Sequence, residues 1–213
     1  MSRDNSLTHL AYRSLLDAVE DILGKNGKNS VLRFVKLEDM ITNPPEYDPE
    51  KRVAYDAVSK LFLGVRDIVG HIGYETIMSR GGVYMVRMMV EHSEALRNLI
   101  NMDLDTVEKL KIAYSAYVKN AGYNPEEILE FLPDQRQILV HRSDCTECEE
   151  ILNDEQKRNE IKKPSCAFLT GVMKGIGECF KSEIHTSAHE AKCRLMGDDE
   201  CLYVVTYDRP TTE

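Results

Sequence analysis

All six cysteines of this 213-residue chain lie in its last third: Cys145, Cys148, Cys166, Cys179, Cys193 and Cys201. A chain that gathers its sulfur this way must fold so that the thiols are buried, bridged or bonded to a metal. Nothing at the N-terminus reads as a secretory signal: Met1-Ser2-Arg3-Asp4-Asn5 carries an acid and runs into an amphipathic pattern. A cytosolic location is therefore expected, and there clustered cysteines point to metal or redox chemistry more than to structural disulfides. Lys and Arg number 27 against 36 Asp and Glu, a formal charge of −9. That balance disfavours nucleic acid and anionic membrane as partners, since both need local positive charge. No apolar run approaches the length of a membrane span; Val83-Tyr84-Met85-Val86 is stopped by Arg87.

The first 125 residues read as helices. Leu7, Leu10, Leu15, Val19 and Leu23 form one apolar stripe, and Gly24 is a stop signal. Asn29-Ser30 caps a short second helix, and Asn43-Pro44-Pro45 opens an extended loop over 43–50. Residues 51–69 are amphipathic through Val53, Ala57, Leu61, Val65 and Ile68, ending at Gly70 and Gly73. Residues 74–100 are helical, with an interruption expected at Gly81-Gly82. Asp105 with Glu108 caps a helix over 106–119. Beyond Pro125 the character changes. Strands are expected over 128–132, 137–141, 182–192 and 200–208, with a hairpin turn at Met196-Gly197-Asp198-Asp199. Residues 149–163 are strongly polar, a solvated helix or a loop. Residues 166–180 are helical, and Gly171, Gly175 and Gly177 let that helix lie close to a neighbour. The expected architecture is a single α+β domain over 1–213: a mainly helical part (1–125), and a mixed part (126–208) ending in a cysteine-bearing hairpin. Helices would pack on one face of an antiparallel sheet.

Cys193 and Cys201 fall on either side of the expected turn, Glu190 three residues earlier, and Cys166 at a helix start, where the thiolate is favoured. Three thiolates and a carboxylate suit tetrahedral Zn2+, against the alternative of inert buried thiols. His185 and His189 are other nearby donors. Cys145-Thr146-Glu147-Cys148 is half of a metal site or a separate redox pair. Cys179, beside Phe180, reads as core.

Pro164-Ser165-Cys166-Ala167-Phe168-Leu169-Thr170-Gly171 and the run from Glu190-Ala191-Lys192-Cys193 through Gly197-Asp198 to Cys201-Leu202-Tyr203-Val204-Val205 resemble the C-terminal pattern of the 4-vinyl reductase domain family. Gly27 to Arg33 and Leu37 to Pro45 are similar to the opening segment of its longer members. The resemblance implies a twisted antiparallel sheet with helices on one face, like transport-particle (TRAPP) subunits. It also implies a homodimer, a small, often hydrophobic ligand such as a hydrocarbon, and a structural zinc on Cys166, Glu190, Cys193 and Cys201. The expected function is a ligand-binding sensor or carrier and not an enzyme. The rivals are a role in vinyl-group reduction, tetrapyrrole or hydrocarbon metabolism, and a protein-interaction module. Tyr84, Met85, Met88, Met89, Tyr114 and Tyr117 are the candidate ligand contacts, because Met-rich faces adapt to apolar ligands.

Overall fold

The computed structural model describes residues 6–152 and 154–208; the N-terminal pentapeptide read above lies outside them. Strand β1 (Leu7–Thr8) pairs antiparallel with β2 (Arg52–Val53) and brackets the long helix α1 (His9–Phe34). Thr8 caps α1, its hydroxyl accepting from the Ala11 N–H at 3.1 Å. Gly24 does not end this helix. It takes φ 72°, a left-handed kink within it, and helical structure resumes to Phe34. After α2 (Asp39–Thr42) comes α3 (Tyr55–His92), which Gly70 (φ 70°) kinks in the same way. No interruption occurs at Gly81-Gly82. Helix α4 (Glu94–Asn101) is capped by Ser93, and α5 (Thr106–Asn120) by Asp105, which accepts from the Val107 N–H.

The mixed part runs α6 (Pro125–Ile128), β3 (Leu129–Leu132), β4 (Gln137–Arg142), α7 (Thr146–Leu152), α8 (Glu155–Glu160), α9 (Ala167–Glu178), β5 (His185–Lys192) and β6 (Cys201–Asp208). The four last strands form one antiparallel sheet in the order β3-β4-β6-β5. The polar stretch after residue 149 thus resolves into the end of α7 and all of α8. The fold is α+β, with a helical N-terminal part, as the sequence leads one to expect.

Helix α9 lies between α3 and the sheet, which is why it is apolar on nearly every side. Its glycines make this possible. A Cβ on Gly171 would meet the Ser79 carbonyl oxygen of α3 at 2.0 Å, and one on Gly177 would meet Thr186 of β5 at 1.9 Å. Gly82 answers from α3, its place for a Cβ occupied by the Phe168 carbonyl at 2.2 Å. The Gly81-Gly82 pair therefore serves the α3–α9 crossing. No described helix is long and apolar enough to cross a membrane.

Candidate sulfur centre and ligand cavity

Five of the six cysteines meet under the sheet. Cys145 precedes α7 and Cys148 lies one turn into it, with the Cys148 N–H donating to the Cys145 carbonyl at 3.0 Å. The two thiols therefore share one side of that turn. Cys166 is the residue before α9, Cys193 follows β5, and Cys201 opens β6. Sγ–Sγ separations are 3.2 Å for Cys145–Cys166 and Cys148–Cys166, 3.4 Å for Cys148–Cys201 and 3.7 Å for Cys166–Cys201. Cys193 stands 3.8 Å from Cys148 and 4.0 Å from Cys166. All five are buried and free of disulfides. Cys193 and Cys201 are not a cross-strand pair. Cys201 is registered with Arg142 of β4, and a register shift at Glu190–Lys192 carries Cys193 out of β5.

The sulfurs of the Cys145-x-x-Cys148 pair lie beside that of Cys166. The Glu190 carboxylate accepts from the Cys166 N–H through Oε2 at 2.9 Å, and its buried Oε1 has no hydrogen-bond partner. Burial, then the neighbouring Cys193, pushes this carboxyl up to about 9. Thiols crowded out of water divide their protons unevenly. Hydrogen bonds from neighbouring thiols, Cys148 first, hold Cys145 and Cys193 low, while burial pushes Cys166 up. His185 and His189 are exposed on β5 and take no part. Cys179 is half-buried at the far end of α9, its thiol donating to the Gly175 carbonyl.

A cavity of about 660 Å3 opens beside this cluster, within the range of small-molecule sites. Leu10, Phe62, Met85, Met89, Phe168 and Leu169 supply much of its apolar wall. Exposed residues at its edge, including Glu50, Arg52, His92 and Glu94, mark the mouth. Two buried charged groups, Arg142 and Glu147, also face it. Arg142 donates to the Tyr123 hydroxyl at 2.6 Å and lies over that ring. Glu147 receives the Tyr74 hydroxyl at 2.9 Å and the N–H groups of Phe168 and Leu169 at 3.0 and 3.3 Å, so it closes the N-terminus of α9. Burial, and then Cys145, still raises its carboxyl to about 8.

Of the ligand contacts expected from sequence, Met85, Met89 and Tyr117 are on this wall. Met88 and Tyr114 are buried elsewhere, Tyr114 donating to the Met173 carbonyl at 2.8 Å. Tyr84 lines a second space of about 690 Å3, more polar than the first, with Asp17, Arg80 and Arg87. Sequence reading missed Glu147 and Arg142. Glu147 sits inside the Cys-x-x-Cys itself, a position where a carboxylate is placed by whatever holds the two thiols.

No protein-family model matches the chain, and no curated protein does. Solved structures do match. An H-NOX protein from S. oneidensis in its Fe(II)NO ligation state aligns with 92% of this chain and 99% of its own, at 15% identity and TM-score 0.56. A triple mutant of an S. oneidensis H-NOX protein in the Fe(II) state aligns over 97% and 98%, at 15% identity and TM-score 0.59. A double mutant of Tt H-NOX gives 96% of both chains, 13% identity and TM-score 0.58. Another match comes from work on heme distortion in the H-NOX family.

These findings correct two expectations. The chain is not identified as a 4-vinyl reductase domain: no such family matches, and the matching structures are H-NOX domains. The segments that carried the resemblance encode a helix start and a strand connection, local pieces that do not specify a topology. Structural zinc, with the zinc, hydrocarbon and transport-particle labels, falls with it, because the structures of this fold are heme proteins. Over nearly its whole length, the chain has the fold of the H-NOX domains.

Proposed function

We propose that the chain is a small-molecule-binding domain of the sensor type, whose ligand occupies the cavity between α1, α3, α5 and α9. The observation that carries this reading is the cavity itself: an apolar chamber of about 660 Å3 with Arg142 and Glu147 buried in its wall. Arg142 is held by Asp144 at 3.4 Å and by the Tyr123 hydroxyl, and Glu147 by Tyr74 and the start of α9, so the wall presents two fixed polar groups beside an apolar surface. The matching ligand has a mostly apolar body and a polar end that meets these two groups. A second copy of the chain belongs to the same reading. Phe34, Ile68 and Ile72 are exposed apolar residues that a dimer would cover.

Heme is the specific ligand that the fold likeness favours, and the wall admits it. His92, exposed at the mouth and stacked on Tyr47, is the imidazole among the described wall residues and would be the nitrogen donor to the heme iron. Arg52 and Arg142 would pair with its carboxylates. Bound there, heme would supply an iron able to take a diatomic gas.

The test is denaturing extraction and mass analysis of the freshly purified chain, followed by hemin titration of the stripped protein. A Soret shift at one hemin per chain, lost in His92→Ala and in the cavity-filling Met89→Trp, supports heme. An extracted apolar compound displaced by Met89→Trp alone supports a non-heme ligand. An empty protein that takes up neither hemin nor a fluorescent apolar probe overturns the binding reading.

A further inference from the structure

We infer that Cys145, Cys148, Cys166 and Cys201 form one all-sulfur centre for a thiophilic metal ion, a site distinct from the cavity. These four thiols lie mutually within 4.8 Å. Their neighbour separations of 3.2–3.7 Å are far beyond a disulfide bond of about 2.05 Å. They are close to the about 3.8 Å edge of a tetrahedron with metal–sulfur bonds of about 2.3 Å. Four thiolates from three separate stretches of chain converge on that one space, and soft donors select soft cations.

The surroundings fit a centre carrying excess negative charge. Arg142 lies on the Cys145 side, and Arg194, ion-paired with Glu149, on the side of Cys148 and Cys201. Two guanidinium groups offset charge that four thiolates bring beyond a divalent cation. The Tyr203 hydroxyl is 3.6 Å from the Cys145 sulfur, a polar group in position to tune it. Glu190 is placed otherwise. One of its oxygens accepts from the Cys166 N–H, yet a Glu190 carboxylate oxygen also lies within 4.8 Å of the Cys166, Cys193 and Cys201 sulfurs, a competing set with one hard donor where the four-thiol set has none. Cys193 is the fifth sulfur, buried beside Glu190 and farther from Cys148 and Cys166 than Cys201 is.

The centre also reaches the cavity. Thr146 and Glu147, between the first two donors, and Phe168 and Leu169, just after the third, are wall residues. Occupancy of the sulfur centre thereby fixes part of the chamber's wall.

Anaerobic titration of the reduced, chelator-stripped chain with Co2+ tests the assignment. The expected result is a sulfur-to-cobalt charge-transfer band and tetrahedral visible bands saturating at one Co2+ per chain. Cys145→Ser and Cys148→Ser each weaken binding by more than about 100-fold, since even outer-shell partners are worth about 10–100-fold. Cys193→Ser, Glu190→Gln and Cys179→Ser change it by less than about tenfold. Should a donor variant fail to fold, alkylation mapping of the wild type decides. Co2+ is expected to shield Cys145, Cys148, Cys166 and Cys201 while Cys179 stays reactive. No charge-transfer band with unaltered alkylation overturns the inference. So does a band that survives Cys145→Ser but vanishes in Cys193→Ser or Glu190→Gln.

Discussion

Helix α1 buries Leu15, Leu16, Val19, Val31 and Leu32 along α3, which answers with Val58, Leu61 and Ile77. Across the molecule, the space beneath β4 and β6 is filled instead by Cys145, Cys148, Cys166, Cys193 and Cys201, with Tyr203 beside them. The first region is held by apolar area removed from water, which has no preferred partner and tolerates small shifts. The second is held by groups with directional chemistry, whose protons and charges must be balanced in a dry interior. The cavity lies where the two meet. Apolar side chains of α1 and α3 form one side, and residues interleaved with the cysteines form the other. Under the proposed function, the apolar side would accept the body of the ligand and the cysteine-bearing side would carry its polar contacts.

The comparison can be broken experimentally. Leu61→Ala, fully buried in α3, is expected to cost about 2–5 kcal/mol in chemical denaturation, with no dependence on chelator. A strong chelator effect on that cost would mean the two regions are not independently held. Gly171→Ala drives a methyl into the Ser79 carbonyl and is expected to cost about 1–3 kcal/mol or more, through the α3–α9 crossing that joins the regions. A neutral result would show that the crossing opens freely. Glu147→Leu removes the acceptor for two α9 N–H groups and the Tyr74 hydroxyl. A loss of about 1–3 kcal/mol is expected, with weakened ligand uptake measured by fluorescence titration. Thr8→Ala deletes the cap of α1 and costs about 1 kcal/mol, leaving Co2+ binding unchanged.

The smallest effect is one of pH. Glu183 sits below its ordinary value of 4.5 because the Thr106 hydroxyl, and then Lys109, donate to its carboxylate. A carboxyl lowered on folding adds stability that is complete above 4.5 and is lost as pH falls through the folded value. Glu183→Gln is expected to flatten the acid limb of the stability profile slightly, because the carboxylate of this pair is exposed although Lys109 is buried. An unchanged limb would remove this pair from the account.

Much of the local structure was written in short stretches. The stripe from Leu10 to Val19, the Asp105 cap, the strand runs around Val140 and Val204 and the change of character after Pro125 all appear as expected. The glycines were legible as special but not as to kind. Gly24 and Gly70 kink helices that continue, and Gly82, Gly171 and Gly177 are spaces for other chains. A sequence shows that a residue lacks a Cβ; only packing shows what occupies its place.

The candidate sites divide along the same line. That the cysteines matter, and that Cys166 opens a helix, follows from type and spacing within a few residues. That Cys145 and Cys148 join Cys166 and Cys201 depends on α7 and α9 starting side by side, a contact across 18 to 56 positions that no periodicity encodes. Glu147 and Arg142 become cavity groups only because α9 and β4 bury them there. The family resemblance failed for the same reason, resting on local segments while the matching topology belongs to H-NOX domains. Hydrogen bonds within a turn and apolar spacing along a face act over a few residues, so the sequence by itself determined helices, strands and caps. Cavities, charge burial and the gathering of donors are properties of chain segments that meet in space, and those the tertiary structure decided.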